Sequence, residues 1–404
     1  MLLDTYRNAD VPLIEAFDTS YPAYFLHPLV EYNALVNHVG IIDLTHWRVL
    51  TVAGNDRASF LHNMLTNDIT ALADGEGCHS VITAVNGKII AELFVFAREN
   101  DYLVLMPSGD LAEVLTTLEK HIINEDVTIT DLSGDFGVLA VEGPKALNVV
   151  KRLFLTGALE PSKNRFGIVS GGFETFELSV INNTCSGDDG YHVVVPAAEV
   201  ARIREYLVQG ARGSDGLSVG HTAWNVRRIE NGIPWHGIDY TTDNFPPESR
   251  LDHTVSYTKG CFRGQQTLGR IHNRGDVNWL LVGLTAGSDV EGGLEQLSAE
   301  IDGLMSENRL RARADADAAR FDLSSVFPAG SDLFAGEDAD DPTDAKPIGR
   351  ITSAIVSPRR GGPLFLGYVR REIIGSTTTI RLSGERTGKI LTVCDLPLAQ
   401  HSES

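Results

Sequence analysis

Two β-rich runs, His79 to Val85 and Ile89 to Phe96, meet at Asn86-Gly87, and this junction constrains the fold more than any other stretch. Asn-Gly is a favoured pair for a two-residue hairpin turn, because both positions must adopt positive φ. The pairing it predicts is antiparallel. A third β-rich run, Tyr102 to Met106, follows. Then comes a helix over Leu111 to His121 behind Asp110, whose carboxylate can accept from the first free helical N–H groups. Strands and helices alternating with antiparallel hairpins predict an α+β fold and argue against a doubly wound parallel sheet.

The flanking sequence extends this pattern. Leu29 to His38 has helical patterning, and Val39 to Asp56 reads as strand, turn, strand. Asn55-Asp56 can cap a helix over Ala58 to Leu65, and Asp68 reads as the cap of the turn Thr66-Asn67-Asp68. A second α+β unit follows. It has strands at Phe136 to Pro144 and Phe173 to Asn182, a helix over Lys145 to Leu153, and an amphipathic helix over Ala197 to Val208. From Val277 the chain is β-rich, with an insert at about 287–325 carrying Leu294, Leu297, Ile301 and Leu304 at helical spacing. An acidic loop spans 336–344, and β-rich runs resume at Pro347. The expected organisation is residues 1–275 as two α+β units, about 1–132 and 133–275. Residues 276–400 form a β-rich domain with an acidic helical insert at about 287–346.

Composition narrows the function classes. The 404 residues carry a net charge of −20. That opposes broad nucleic-acid binding, which needs a basic face to displace counterions. Cations gather locally at Arg250, Lys259, Arg263, Arg270 and Arg274. No apolar run approaches the roughly 20 residues of a membrane span. The N-terminus lacks the basic start and apolar core of a signal peptide, so the expected compartment is the cytoplasm. Cys78, Cys185, Cys261 and Cys394 are dispersed. Their spacing suggests no disulfide framework, zinc site or self-contained iron–sulfur cluster.

One further stretch stands out, Tyr257 to Arg270. Cys261 lies near Gly260 and Gly264, between Lys259 and Arg263. Two cations beside a thiol favour the nucleophilic thiolate. A tight turn around an inert cysteine accounts for the same residues, and local chemistry leaves both readings open.

Lys259-Gly-Cys-Phe-Arg-Gly-Gln-Gln266 resembles the Lys-Gly-Cys-(Tyr/Ile/Phe)-x-Gly-Gln-Glu motif of the YgfZ family, differing at its last position. YgfZ proteins are folate-binding relatives of the glycine-cleavage T-protein (GcvT, aminomethyltransferase). They are associated with iron–sulfur protein maturation or repair and with tRNA modification. The resemblance extends over nearly the whole chain. It implies a GcvT-like, multi-unit folate-binding fold with a C-terminal β-barrel, and tetrahydrofolate or a folate derivative as cofactor. It implies iron–sulfur client or assembly proteins as partners; the charge and the lack of a long apolar run argue against direct contact with nucleic acid or membrane.

The same resemblance implies a set of site residues. Cys261 and Lys259 take the catalytic role. Thr184-Cys-Ser-Gly-Asp-Asp-Gly-Tyr191 resembles a family segment whose Glu bonds the pterin, which points to Asp188. Arg228, in Arg-Ile-Glu-Asn-Gly-Ile-Pro, matches an Arg of the folate site, and Trp224, Trp235 and Gln265 complete the candidates. In aminomethyltransferases the hairpin reads Gly-Gly-Ile-x-Asp-Asp and supplies a catalytic Asp; here it reads Gly87-Lys-Ile-Ile-Ala-Glu92. Placing the catalytic position at Ala91 implies loss of that activity and puts Glu92 on the opposite face of the strand. The alternative is a tetrahydrofolate-dependent aminomethyltransferase or demethylase that uses Glu92.

Overall fold

The computed structural model describes residues 2–16, 19–154, 160–187, 189–275, 277–286, 318, 321–322, 329–335, 346–376, 379–382 and 390–397. The expected helix around Leu294 to Leu304 and the acidic loop 336–344 lie outside the described residues.

A short hairpin, β1 (Leu13–Ala16) with β2 (Thr19–Pro22), follows helix α1 (Leu3–Asn8) and precedes α2 (Pro28–Asn37). The strand–turn–strand after α2 is present as β3 (Gly40–Asp43) and β4 (Arg48–Ala53), but the two strands enter different sheets. The first sheet runs in the order β5 (Gly77–Thr83), β6 (Ile89–Ala97), β7 (Asp101–Met106), β4, β8 (Thr128–Asp131). The second runs β10 (Ile168–Phe173), β11 (Phe176–Asn182), β12 (Gly190–Pro196), β9 (Phe136–Glu142), β3, β13 (Leu217–Ser218). Residues before β4 therefore pack with the second sheet, although β4 to β8 build the first.

The two sheets face each other. Phe94, Phe96, Leu103 and Leu105 of the first share a core with Ile42, Val138, Ala140 and Val194 of the second. The outer face of the first sheet carries α3 (Arg57–Met64) and α4 (Leu111–Glu119), with Phe60, Met64 and Val114 against Ala91, Leu93 and Val95. Asp110 caps α4 as its position predicts, accepting from Ala112 N–H at 2.9 Å. The outer face of the second sheet carries α5 (Ala146–Val150) and α6 (Val200–Arg212). The alternation of strand side chains thus gives every central strand one face toward helices and one toward the other sheet.

The C-terminal domain is a closed six-stranded barrel. Its order is β14 (Trp279–Ala286), β17 (Gly362–Arg370), β16 (Gly349–Ser357), β15 (Asp332–Ala335), β18 (Ile380–Leu382), β19 (Ile390–Cys394). Closure leaves no unpaired strand edge. Helix α7 (His221–Glu230) joins the barrel to the sheets through side chains that are fully buried. Glu230 accepts from Tyr32 Oη at 2.8 Å, Arg227 at 3.0 Å and Ser357 Oγ at 2.6 Å. Arg228 pairs with Asp239 and reaches Ser353 Oγ at 3.0 Å, and Asp239 accepts from Thr352 Oγ1 at 2.7 Å. A shift of register between Ile351 and Ser353 sits at this junction. Such a bulge re-aims side chains, and here the hydroxyls of Thr352 and Ser353 both reach Asp239. Among the described residues no helix is long and apolar enough to cross a membrane.

Candidate functional site

A cavity of about 270 Å³ opens between the two sheets and the segment after α7. Its walls are largely aromatic, with Trp47, His79, Phe94 and Trp235 offering ring faces or edges. His79 stacks on Phe94 with centroids 4.4 Å apart, and Phe94 stacks on Trp47 at 5.7 Å.

The hairpin β5–β6 delivers the charge. Val81 pairs with Glu92 and His79 with Phe94, so His79 and Glu92 lie diagonally on one face of the ladder. That face is turned to the second sheet. Ala91 points the other way, fully buried against the helices. Ala91, the position matched to the family's catalytic Asp, thus faces the helices, and its neighbour Glu92 faces the cavity. Glu92 Oε1 lies 2.7 Å from His79 Nε2, and Oε2 accepts from Tyr240 Oη at 2.5 Å. His79 Nδ1 in turn lies 2.9 Å from Nε2 of His253, an exposed residue. Burial raises the Glu92 carboxyl, but His79, the bonds from His79 and Tyr240, and His236 outweigh it and hold it below the usual 4.5. Although His253 is exposed as a residue, its ring packs against His79 with centroids 4.9 Å apart, and this burial, with the His79 charge, draws it down to about 4. Glu92 is thus an anion near neutral pH, and each of its oxygens keeps a lone pair for a ligand.

The polar wall opposite comes from the loop after β11. Asn183 lines the cavity, is 2% exposed, and has neither carboxamide atom hydrogen-bonded. An amide buried without partners costs a few kcal/mol, so this donor–acceptor pair is poised for a ligand edge. Arg165 is exposed at the rim.

The residues singled out from sequence fall into three groups. Asp188 lies outside the described residues. Arg228 and Trp224 stand behind the cavity wall. The Arg228 guanidinium lies 4.2 Å from the centroid of Trp235 and donates to Asn225, Ile233, Asp239 and Ser353, while Trp224 packs on Trp235 at 4.4 Å. Both therefore position Trp235, the ring that lines the cavity.

Lys259, Cys261 and Gln265 do not line it. Lys259 Nζ donates to the carbonyls of His62 at 2.5 Å, Leu65 at 2.7 Å and Asn67 at 2.8 Å. Arg263 donates to the Thr83 carbonyl at 2.8 Å and lies 3.1 Å from His121. Gln265 opens α8 (Gln265–Arg274) and donates to Gly260 O at 3.4 Å. Neither flanking cation bonds the thiol, and Cys261 is exposed. The glycines of this loop serve close approach. Gly264, at φ +84°, sits where a Cβ would be 2.5 Å from Thr83 Oγ1 and 3.0 Å from the Cα of Gly87.

His79, His253, Tyr240 and Asn183 were missed from sequence. A signal for His79 existed: a two-residue turn at Asn86-Gly87 predicts pairing of position 81 with 92 and 79 with 94, and the ladder keeps that register. The turn itself differs, with Gly87 alone at positive φ, Ala84 N–H on Lys88 O and a register shift between Ile82 and Thr83.

The chain belongs to the GCVT N-terminal domain family, whose model matches residues 2–259. An aminomethyltransferase of Cutibacterium acnes is 26% identical over 391 residues, covering 94% of this chain and 92% of the relative. A putative chloroplast transferase of Arabidopsis thaliana is 24% identical over 396 residues, covering 97% of this chain and 77% of the relative. The crystal structure of the glycine cleavage system aminomethyltransferase T from Bartonella henselae superimposes with a TM-score of 0.77 at 21% identity. It spans 98% of this chain and 97% of that one, and the two share one fold, barrel included.

Proposed function

We propose that this protein is a tetrahydrofolate-dependent one-carbon transferase acting on an amine donor, with Glu92 at the reaction centre. The observation that carries this reading is a buried carboxylate held anionic by His79 and Tyr240 in an aromatic cavity. The cavity suits a folate head group. Flat rings can sandwich a heterocycle, and the unpaired Asn183 amide offers one donor and one acceptor to its edge. Arg165 supplies a cation for an anionic tail. Tetrahydrofolate, when bound, supplies nucleophilic nitrogens that accept the one-carbon unit. The chain's own part is electrostatic. Glu92 stabilises positive charge developing on the donor nitrogen, an interaction strengthened where water is excluded. His79 and His253 form a path by which a proton can pass from Glu92 to solvent. The names of the relatives support the same class of chemistry, and a cytoplasmic location is in keeping with it.

The test is to add tetrahydrofolate and a series of N-methyl and aminomethyl donors to the purified protein. We expect quenching of the cavity tryptophans on folate binding and formation of a one-carbon folate. Absence of both would overturn the reading.

A second reading, a YgfZ-type accessory role in iron–sulfur protein maintenance acting indirectly on tRNA modification, rests on the exposed Cys261 in its motif. It predicts that a deletion strain loses iron–sulfur enzyme activity, restored by the wild-type chain and not by Cys261→Ala. Equal restoration by both would count against a role for the thiol.

A further inference from the structure

Behind the cavity wall three donors of different chemistry converge. Gly190 of β12 pairs with Glu142 of β9, and His192 pairs with Ala140. Glu142 and His192 are therefore diagonal neighbours on one face of the second sheet. Cys185 enters from the loop after β11 and also lines the cavity. All three are buried, and their ligand atoms lie within 4.8 Å of one another.

We propose that Glu142, Cys185 and His192 form a site for one thiophilic divalent cation of the zinc type, with a further coordination position open toward the cavity. Thiolate, imidazole and carboxylate are the donors that such ions take, and three protein ligands with one open position is the arrangement of catalytic sites. The spacing suits it. Cys185 Sγ lies 3.3 Å from His192 Nε2. Metal bonds of about 2.3 Å to sulfur and 2.1 Å to nitrogen put the two donors about 3.6 Å apart in a tetrahedron.

The surroundings hold the donors in place. Glu142 Oε1 accepts from the Cys185 N–H at 2.6 Å and Oε2 from the Ser186 hydroxyl, which fixes the carboxylate beside the thiol. The edge of Trp47 fixes the His192 ring, with centroids 4.9 Å apart. Charge balance also favours the site. On binding, the Cys185 S–H bond breaks, its proton leaves to solvent, and the sulfur lone pair bonds the ion. A carboxylate and a thiolate then neutralise a dication, which suits a buried site. Spacing could not reveal the site from sequence, because its donors are separated by 43 and 7 positions.

This inference does not depend on folate binding. The test uses the full chain stripped by a chelator and titrated with Co²⁺ alone. One equivalent should produce a thiolate-to-cobalt charge-transfer band and the intense visible bands of a four-coordinate ion, both displaced by Zn²⁺. Cys185→Ser, nearly isosteric, should abolish the charge-transfer band while keeping the native circular dichroism, and Cys261→Ser should keep the band. His192→Ala should weaken binding at least about 10–100-fold. If that variant does not fold, the Cys185→Ser arm still decides. No band in the folded wild type, or a band unchanged in folded Cys185→Ser, would overturn the proposal and leave the trio as a neutral thiol–imidazole hydrogen bond.

Discussion

Glu92 keeps its charge in a place where burial alone would remove it, because Tyr240 donates to it and the His79 ring nitrogen lies 2.7 Å from its other oxygen. A carboxylate whose pKa is lowered by folding stabilises the native state above its unfolded value, and the effect is lost as pH falls through the native value. The wild type should therefore be more stable than Glu92→Gln at neutral pH, and the gap in Tm should shrink below about pH 4.5, which thermal melts across pH would show. This residue also marks the limit of reading one strand alone. The sequence correctly implied that positions 91 and 92 face opposite ways. It did not say which face looks onto the second sheet, because that sheet is built from strands far along the chain. Asn183 and His192 were hidden for the same reason: nothing local tells an unpaired buried amide from a turn residue.

At the level of the element, the loop 257–264 is a docking strap. Lys259 satisfies carbonyls at and just beyond the C-terminal end of α3, groups a helix leaves without partners. Thr83 Oγ1 donates to Arg263 O at 2.7 Å, tying the strap to the β5–β6 hairpin that carries Glu92. Lys259→Met should cost at least about 1–3 kcal/mol in urea unfolding, since it strands buried acceptors. If Lys259 were instead a solvated surface cation, the change would be close to zero. The glycines and cations of this stretch were conspicuous in the sequence. In the structure Lys259 and Arg263 bond backbone carbonyls and Gly264 permits close packing on Thr83 and Gly87. Local sequence could not tell these contacts from chemical roles, because close packing and carbonyl capping draw on the same residue types as catalysis.

Across the whole molecule, α7 holds sheets and barrel together through buried polar groups. Arg228→Met leaves Asp239 buried without its cation and should cost about 3–5 kcal/mol. Adding Asp239→Asn should restore part of that loss, measured in the same denaturant series. Burial draws His46 and His221 down to about 3. The unfolded chain then binds more protons than the native one below about pH 6.5, so stability should fall steadily from there toward pH 3. Proton uptake on unfolding, measured by calorimetry in buffers of different ionisation enthalpy, would check this. The α+β class and the β-rich C-terminal domain were legible from periodicity and turn chemistry. Closure of the barrel came only with the family motifs. The crossing of β3 into the second sheet was not legible, since a short connection between two strands ordinarily signals a hairpin. In the proposed reaction Glu92, in this cavity, drives one-carbon transfer to tetrahydrofolate. The most direct measurement is the transfer rate of wild type and Glu92→Gln at saturating folate, with folate binding measured alongside. We expect a loss of about 100-fold or more in rate with binding retained. Equal rates in the two proteins would contradict it.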